Sequence, residues 1–222
     1  MIHSLEIDSV VLEFGQKRVL QDVYLKIETD KVIGLLGKNG SGKSCLMNII
    51  FGQLIPNEKS IRLDGIYHPS NRFPNDILTY LPQFSFIPKS LTVKRVFDDY
   101  YIDTGRFYNY FPEFRKHHKS KIQQLSGGEQ RLIEIYIILL AKSRFCMLDE
   151  PFSQVMPKHI DTIKEIIISE KKHKGILISD HLYEHIIDIC DDINMIKDGE
   201  LILIEDIIDI ERHGYARLVN SV

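Results

Sequence analysis

Hydrophobic and polar positions follow two patterns near the start of the chain. They roughly alternate over residues 5–14 and again over residues 23–27, after the turn-like GQK at residues 15–17. This period of two predicts antiparallel strands at the edge of a sheet. Residues 31–36 are apolar on both faces instead, which predicts a central, buried strand.

Farther along, strand-like apolar runs alternate with helical segments. The predicted elements are a helix at 44–51 ended by Gly52, a strand at 77–81, a helix at 129–141, a strand at 145–148, a helix at 157–172, a strand at 175–179 and a helix from Leu182. Such alternation favours a largely parallel sheet. Residues 207–222 are too mixed to assign beyond a helix and a loose tail.

One segment differs in character from the rest. Residues 83–125 are rich in aromatic and charged side chains, show weak helical periodicity and include the basic stretch RKHHKSK. The length of 222 residues suits one domain. We therefore predict a single domain, 1–222, in which residues 1–82 and 126–222 form the core and residues 83–125 form an inserted, mainly helical subdomain.

Composition narrows the range of partners. The chain has 28 Lys and Arg against 31 Asp and Glu, a net charge of −3. This balance gives no general attraction to nucleic acid or to anionic lipid, so no nucleic-acid partner is expected. The chain shows no secretory leader pattern and no apolar run near the ~20 residues of a membrane helix, and we expect it to be cytoplasmic.

The three cysteines are scattered and odd in number, which favours a reducing compartment over a disulfide framework. We interpret Cys146 and Cys190 as small core residues. Cys45 falls in the first turn of the helix predicted at 44–51, where the positive helix end is expected to depress the pKa of the thiol.

Three glycines, a lysine and a serine follow the predicted central strand in GKNGSGKS, residues 37–44. The spacing matches the phosphate-binding loop G-x-x-x-x-G-K-[ST], and its place between strand and helix argues against an ordinary glycine-rich turn. Backbone N–H groups and Lys43 would hold nucleotide phosphates, and the Ser44 hydroxyl would ligate Mg²⁺. The predicted nucleotide-binding residues here are Gly37, Lys38, Asn39, Gly40, Ser41, Gly42, Lys43, Ser44 and Cys45.

An acidic pair, Asp149 and Glu150, follows the apolar run FCML. Alone, such a pair is typical of a solvated strand end. With a phosphate loop upstream, the two carboxylates match what Mg²⁺-dependent phosphoryl chemistry needs, one to hold the metal and one to orient the attacking water.

A further motif points to a family. LSGGEQ, residues 125–130, together with DEP at 149–151, resembles the ATP-binding cassette (ABC) ATPases, whose signature is usually L-S-G-G-Q. The resemblance covers nearly the whole chain, with a glutamine loop at Gln83 and a switch histidine at His181. It implies an α/β fold with a P-loop NTPase core, a mainly parallel sheet, an antiparallel β subdomain and a short helical insert.

The resemblance also implies roles for single residues, with ATP and Mg²⁺ as the ligands. Gln83 would reach the metal and the attacking water, and His181 would contact the γ-phosphate. The implied catalytic residues are Lys43, Gln83, Glu150 and His181, and the implied metal ligands are Ser44, Gln83 and Asp149. Phe14 would stack on adenine; a core strand residue is the alternative.

In the resembled family the signature contacts the nucleotide held by another copy. Ser126, Gly127 and Gly128 would therefore meet the γ-phosphate of a second chain. This implies a homodimer that forms on ATP binding, a separately encoded transmembrane permease subunit, and a position at the inner face of the cell membrane through that partner.

The chain departs from the family pattern in three places. Glu129 replaces the glutamine of the signature, which we expect to be tolerated. Met156 replaces an aspartate that usually crosses the dimer interface. The insert at 83–125 is short, so we expect a reduced docking surface for the membrane partner.

The favoured function is the ATP-hydrolysing subunit of an ABC transporter. One alternative is a soluble ABC ATPase acting on nucleic acid or the ribosome, although the long coiled coil or second cassette of those relatives is absent. Another is a regulatory cassette with little turnover, against which the intact Lys43, Asp149, Glu150 and His181 argue. The substrate and the direction of transport are not encoded here, because the membrane subunit recognises the substrate.

Overall fold

The computed structural model describes residues 2–69 and 72–215, which fold into two sheets and seven α-helices. The strands are β1 (Ser4–Phe14), β2 (Lys17–Glu28), β3 (Val32–Leu36), β4 (Glu58–Leu63), β5 (Ile66–Tyr67), β6 (Leu78–Leu81), β7 (Phe145–Asp149), β8 (Gly175–Ser179), β9 (Asp192–Lys197) and β10 (Glu200–Ile204). The helices are α1 (Lys43–Phe51), α2 (Val93–Asp99), α3 (Thr104–Tyr110), α4 (Gly127–Leu140), α5 (Ile160–Glu170), α6 (Tyr183–Ile187) and α7 (Ile207–Arg212).

The smaller sheet is antiparallel, with the strand order β2-β1-β4-β5. Buried and partly exposed residues alternate along much of β1 and β2, as the period of two predicts. β2 lies at an edge, but the prediction of an edge position is wrong for β1, which pairs with β2 and β4. β4 was not predicted, because its sequence EKSIRL is mostly polar; only Ile61 is fully buried.

The larger sheet has the order β10-β9-β3-β8-β7-β6. All neighbouring pairs are parallel except β9 and β10, which form an antiparallel hairpin. The four predicted buried strands are present, and β3 is central. β9 and β10 were missed, because partly exposed and polar positions interrupt their apolar pattern.

Helix boundaries differ modestly from the sequence prediction. α4 begins at Gly127 rather than at residue 129, since the Ser126 side chain caps it. Pro157–His159 forms a 3-10 turn before α5, and α6 has only five residues. α7 supplies the helix expected within 207–222, whereas the expected tail beyond 215 lies outside the described residues.

Residues 83–125 contain helices and turns, and their aromatic side chains pack against α4. Phe107 is fully buried, with its ring centroid 4.9 Å from those of both Phe97 and Tyr136. Offset aromatic contacts of this kind add about 0.5–1.5 kcal/mol beyond burial. The division into core and inserted subdomain stays a prediction.

Within the described part of the chain, no helix is long and apolar enough to cross a membrane.

Candidate functional site

The carboxyl ends of three adjacent parallel strands, β3, β8 and β7, carry the candidate site. Leu35 pairs with Ser179, and Ser179 pairs with Asp149 across the sheet. In open α/β sheets the loops that leave these ends lie side by side and form the ligand crevice. The phosphate loop, the acidic pair and His181 are therefore neighbours in space.

The phosphate loop curls tightly between β3 and α1. Gly40 and Gly42 have φ values of 78° and 112°, a left-handed region that side chains disfavour. A Cβ at Gly42 would also lie 2.9 Å from Leu20 Cδ2. The Ser41 hydroxyl is buried without a hydrogen-bond partner, so the loop holds an unsatisfied polar group where a phosphate oxygen would fit.

Lys43 lies folded onto this loop. Its Nζ donates to the carbonyls of Gly37 at 2.6 Å and Lys38 at 3.4 Å. Burial lowers the pKa of Lys43, while the carboxylates of Glu150 and Asp149 oppose this shift. A largely enclosed ammonium that bonds only to carbonyls is well placed to pair with a bound anion.

Asp149 is buried at the end of β7 and is held by two hydroxyls. Ser179 Oγ donates to Asp149 Oδ1 at 2.5 Å, and the Tyr80 hydroxyl donates to Oδ2 at 3.2 Å. Burial, with the charge of Asp149, raises the pKa of Tyr80 well above its ordinary value, so the phenol stays a donor. The orientation of the carboxylate is thereby fixed.

Glu150 occupies a turn with a left-handed backbone, φ 48°. Its N–H donates to the carbonyl of Ser179 at 2.9 Å, and its Oε2 accepts from Ser153 Oγ at 3.5 Å. His181 Nδ1 lies 3.9 Å from the same Oε2 and 3.5 Å from Asp180 Oδ1. The fold thus brings Glu150 and His181 together.

Gln83 joins this group from the turn after β6. Its Nε2 donates to Ser44 Oγ at 3.2 Å. No cluster of three or more His, Cys, Asp or Glu side chains within residues 2–69 and 72–215 could hold a metal by itself. A cation held by Ser44, Gln83 and Asp149 would need further oxygens from phosphate and water, which suits Mg²⁺.

Other predicted residues are not joined to this group. Ser126, Gly127 and Gly128 start α4, and no hydrogen bond or ion pair of the described residues links them to the phosphate loop. Phe14 is 54% exposed at the end of β1, which excludes a core position.

A cleft of about 460 Å³ beside the loop is lined by Lys17, Arg18, Val19, residues 38–41, residues 195–199, His213 and Tyr215, but not by Phe14. Sequence reasoning missed its lining from β2 and from the β9–β10 hairpin, since no motif marks these residues.

The expectation of a depressed Cys45 pKa is wrong. Partial burial raises the pKa of this thiol, and the negative charge of Asp149 adds to the increase. Desolvation and a nearby carboxylate both disfavour the thiolate. Cys146 is buried as predicted, and Cys190 is partly buried; burial raises both pKa values.

Sequence reasoning also missed a buried ion pair in α4. Arg131 Nη1 lies 3.6 Å from Glu134 Oε2, and both side chains are almost inaccessible. Arg131 also donates to the carbonyls of Pro82 and Asp149. The available signal was two opposite charges three residues apart in the otherwise apolar RLIEIYIILL segment, residues 131–140.

Known proteins resemble this chain in sequence and in fold. The sequence profile of the family described as ABC transporter matches residues 20–153. The chain is 30% identical to the uncharacterized ABC transporter ATP-binding protein YhaQ of Bacillus subtilis, over 94% of this chain and 73% of that protein. It is 29% identical to the lipopolysaccharide export system ATP-binding protein LptB of Haemophilus influenzae, over 89% and 88% of the two chains.

A solved structure described as the ATP-binding subunit of an ABC transporter superposes with a TM-score of 0.77 and 23% identity, over 95% of this chain and 92% of that one. An ATP-bound bacterial Atm1-family ABC exporter gives a TM-score of 0.79 and 19% identity, over 94% of this chain and 40% of that one. At these identities the likeness concerns the fold, and it confirms the predicted fold class.

Proposed function

Because the chain belongs to the ABC transporter family of ATP-binding proteins, we propose that it binds and hydrolyses ATP as the subunit that drives a separately encoded membrane protein. One observation carries the proposal. The phosphate loop, Gln83, Asp149, Glu150 and His181 meet at one edge of the parallel sheet.

The phosphate loop would bind the β- and γ-phosphates of ATP. The left-handed glycines leave room for the backbone to approach them, and the unpaired Ser41 hydroxyl and the Lys43 ammonium supply donors. Ser44, Gln83 and Asp149 would hold Mg²⁺ among them. When bound, Mg²⁺ neutralises charge on the phosphate oxygens.

Glu150 would orient the attacking water and accept its proton. Its Oε2 faces Ser153 and His181, and His181 lies close enough to share the water or the γ-phosphate with it. Asp149, fixed by Ser179 and Tyr80, has a different role because both of its oxygens already accept hydrogen bonds.

Ser126, Gly127 and Gly128 would complete the site of a second copy. Ser126 and Gly127 are exposed at the start of a 14-residue helix, and the positive end of a helix is a favourable place for an anion. Their lack of links to the phosphate loop of the same chain supports this arrangement. The functional unit would be a homodimer with two ATP molecules.

The membrane partner would contact a groove near Gln83, between β6 and the end of α4. The groove has a volume of about 680 Å³, and its lining includes Phe86, Tyr100, Tyr101 and Ile138. Phe84, next to Gln83, is 82% exposed. A cytoplasmic segment of the partner seated there would sense the state of Gln83 and would keep this subunit at the inner face of the membrane, even though the helical insert is short.

Substitution of Glu150 tests the function directly. Glu150→Gln should bind ATP with Mg²⁺ as the unmodified chain does, accumulate as a dimer in size-exclusion chromatography and lose at least 100-fold in kcat. Asp161→Asn, an exposed acid on α5, is the matched control and should keep full turnover.

Undiminished turnover in Glu150→Gln would refute the assigned role. A chain that dimerises on ATP but never hydrolyses it would instead support the regulatory cassette.

A further inference from the structure

We propose that the buried pair Arg131 and Glu134 positions the catalytic groups for turnover. From one face of α4 the pair fixes the turn that carries Gln83 and the turn that carries Glu150, and Ser126 caps the start of the same helix. The inference rests on the proposed function, which gives Gln83 and Glu150 their roles. Arg131 and Glu134 are positioning residues, since neither would touch ATP.

Arg131 reaches two segments that are far from it in sequence. Its Nη1 donates to the Pro82 carbonyl at 2.6 Å, directly before Gln83. Its Nη2 donates to the Asp149 carbonyl at 2.8 Å and lies 3.4 Å from that of Glu150. A planar guanidinium presents donors in fixed directions, so one side chain sets the spacing between the two turns.

Glu134 secures the glutamine turn from the other side. Its Oε1 accepts from Ser85 Oγ at 2.5 Å and from the Phe86 N–H at 3.2 Å. Its Oε2 faces Arg131. Residues 82 to 86 are therefore held at both ends by two side chains on adjacent turns of one helix.

The turn at Glu150 needs such support. A left-handed backbone at a residue with a side chain is strained and persists only when surrounding contacts impose it. The Ser179 carbonyl binds the Glu150 N–H on one side, and Arg131 binds the Asp149 carbonyl on the other. The pair thus helps to maintain the strained turn that directs the Glu150 carboxylate.

Stability alone does not explain the pair. Removing two charges from water carries a large desolvation penalty, and apolar residues of similar volume often stabilise a core equally well. An ordinary i,i+3 pair on a helix surface contributes little to stability. In α4, by contrast, Arg131 and Glu134 form hydrogen bonds with residues outside the helix. These bonds reach the turn that carries Gln83 and the turn that carries Glu150.

The test compares Glu134→Gln with Glu170→Gln in the full chain. Glu170 is also buried and accepts from Arg106 at 3.0 Å, so both substitutions remove a low-exposure carboxylate that faces an arginine. Amide hydrogen exchange of the nucleotide-free protein reports on residues 82–86 and 149–150. Kinetics and equilibrium ATP binding separate kcat from affinity.

We expect Glu134→Gln to remove the nearest counter-charge of Arg131, to speed exchange at least threefold in both segments and to lower kcat at least tenfold, with ATP affinity within threefold. Glu170→Gln should leave exchange in both segments unchanged and kcat within twofold. Arg131→Lys, which keeps the charge, should retain more turnover than Arg131→Met.

Unchanged exchange at residues 149–150 in Glu134→Gln would overturn the inference, and so would equal kcat losses in the two Gln variants. If the unmodified chain does not hydrolyse ATP, the proposed function fails, while the exchange comparison still decides whether the pair couples the two turns.

Discussion

At the scale of single residues, the start of α4 shows how this chain departs from its family pattern without losing the motif. Glu129 accepts hydrogen bonds from both the N–H and the hydroxyl of Ser126, and the Ser126 hydroxyl accepts from the Glu129 N–H at 3.3 Å. This reciprocal capping box satisfies helix N–H groups that would otherwise lack partners. It also places a negative charge at the positive end of the helix, which is stabilising.

The cap gives a pH-dependent prediction. Partial burial acts to raise the pKa of Glu129, but hydrogen bonds from Ser126 and nearby positive charge outweigh it and hold the pKa below the ordinary value. The charge of Glu129 therefore stabilises the fold above the unfolded pKa of about 4.3, and this contribution is lost as pH falls through the folded pKa. Glu129→Gln should lower the free energy of unfolding by about 0.5–1 kcal/mol at pH 7.

Urea unfolding at pH 7 and pH 4 measures this difference. The gap between Glu129→Gln and the unmodified chain should shrink at pH 4, whereas Glu165→Gln, on the exposed face of α5, should show no gap at either pH. A gap that grows on acidification would contradict the assignment.

Cys45 provides a second prediction at this scale. Because its pKa is raised, its thiol should react with iodoacetamide at pH 7.5 at least threefold more slowly than the thiols of the urea-unfolded chain. Mass-spectrometric labelling of Cys45 over time measures the rate. Faster labelling in the folded chain would contradict the raised pKa and would support the lowered Cys45 pKa that the sequence predicts.

At the scale of elements, the packing of α4 against the loop after β7 depends on one of two adjacent glycines. A Cβ at Gly128 would lie 2.7 Å from the Gln154 carbonyl oxygen, whereas a Cβ at Gly127 would meet nothing within 4 Å. Gln154 itself has a left-handed backbone, φ 69°. The loop that carries Met156 is therefore set directly against the start of the helix.

The two positions should respond differently to alanine. Gly128→Ala should lower the free energy of unfolding by about 1–3 kcal/mol, since backbone must move to relieve the contact. Gly127→Ala should change it by less than about 0.5 kcal/mol, because an exposed first-turn residue meets no neighbour. Urea unfolding of the nucleotide-free chain distinguishes them, and equal losses would disprove this account of the helix start.

Strands with a continuous apolar pattern were predictable from the sequence. Strands that form mainly because a neighbouring strand offers hydrogen-bonding partners were not. β3, β7 and β8 are buried along their whole length, so composition alone marks them. β4 and β9 become strands because β1 and β3 offer free edges to pair with, a tertiary cause that local sequence does not carry. In the same way, motif spacing located Lys43, Asp149 and Glu150, whereas the charge pattern around Arg131 does not reveal which distant turns this residue holds.

At the scale of the whole molecule, we propose that a second copy of the chain completes the site. The helix start at Ser126 is exposed, and Met156, two residues after Gln154, is 41% exposed. Exposed small and apolar residues such as Gly127 and Met156 are suited to contact with a second copy of the chain.

Ser126→Arg tests that assembly. In the Glu150→Gln background it should abolish the ATP-dependent dimer in size-exclusion chromatography, since a bulky cation replaces a small donor at the contact. ATP affinity of the monomer should stay within threefold. Tyr24→Ala, an exposed aromatic on β2, should leave the dimer intact. Parallel loss of monomer binding and dimer would contradict a shared site.

The left-handed backbone at Glu150 limits how far this protein can be stabilised at position 150. Glycine or asparagine would relax that conformation, so stability alone would select a residue without the carboxylate. Mutant libraries sorted only for heat resistance should therefore enrich inactive chains at this codon, and thermostable catalysts are better sought by changing residues elsewhere.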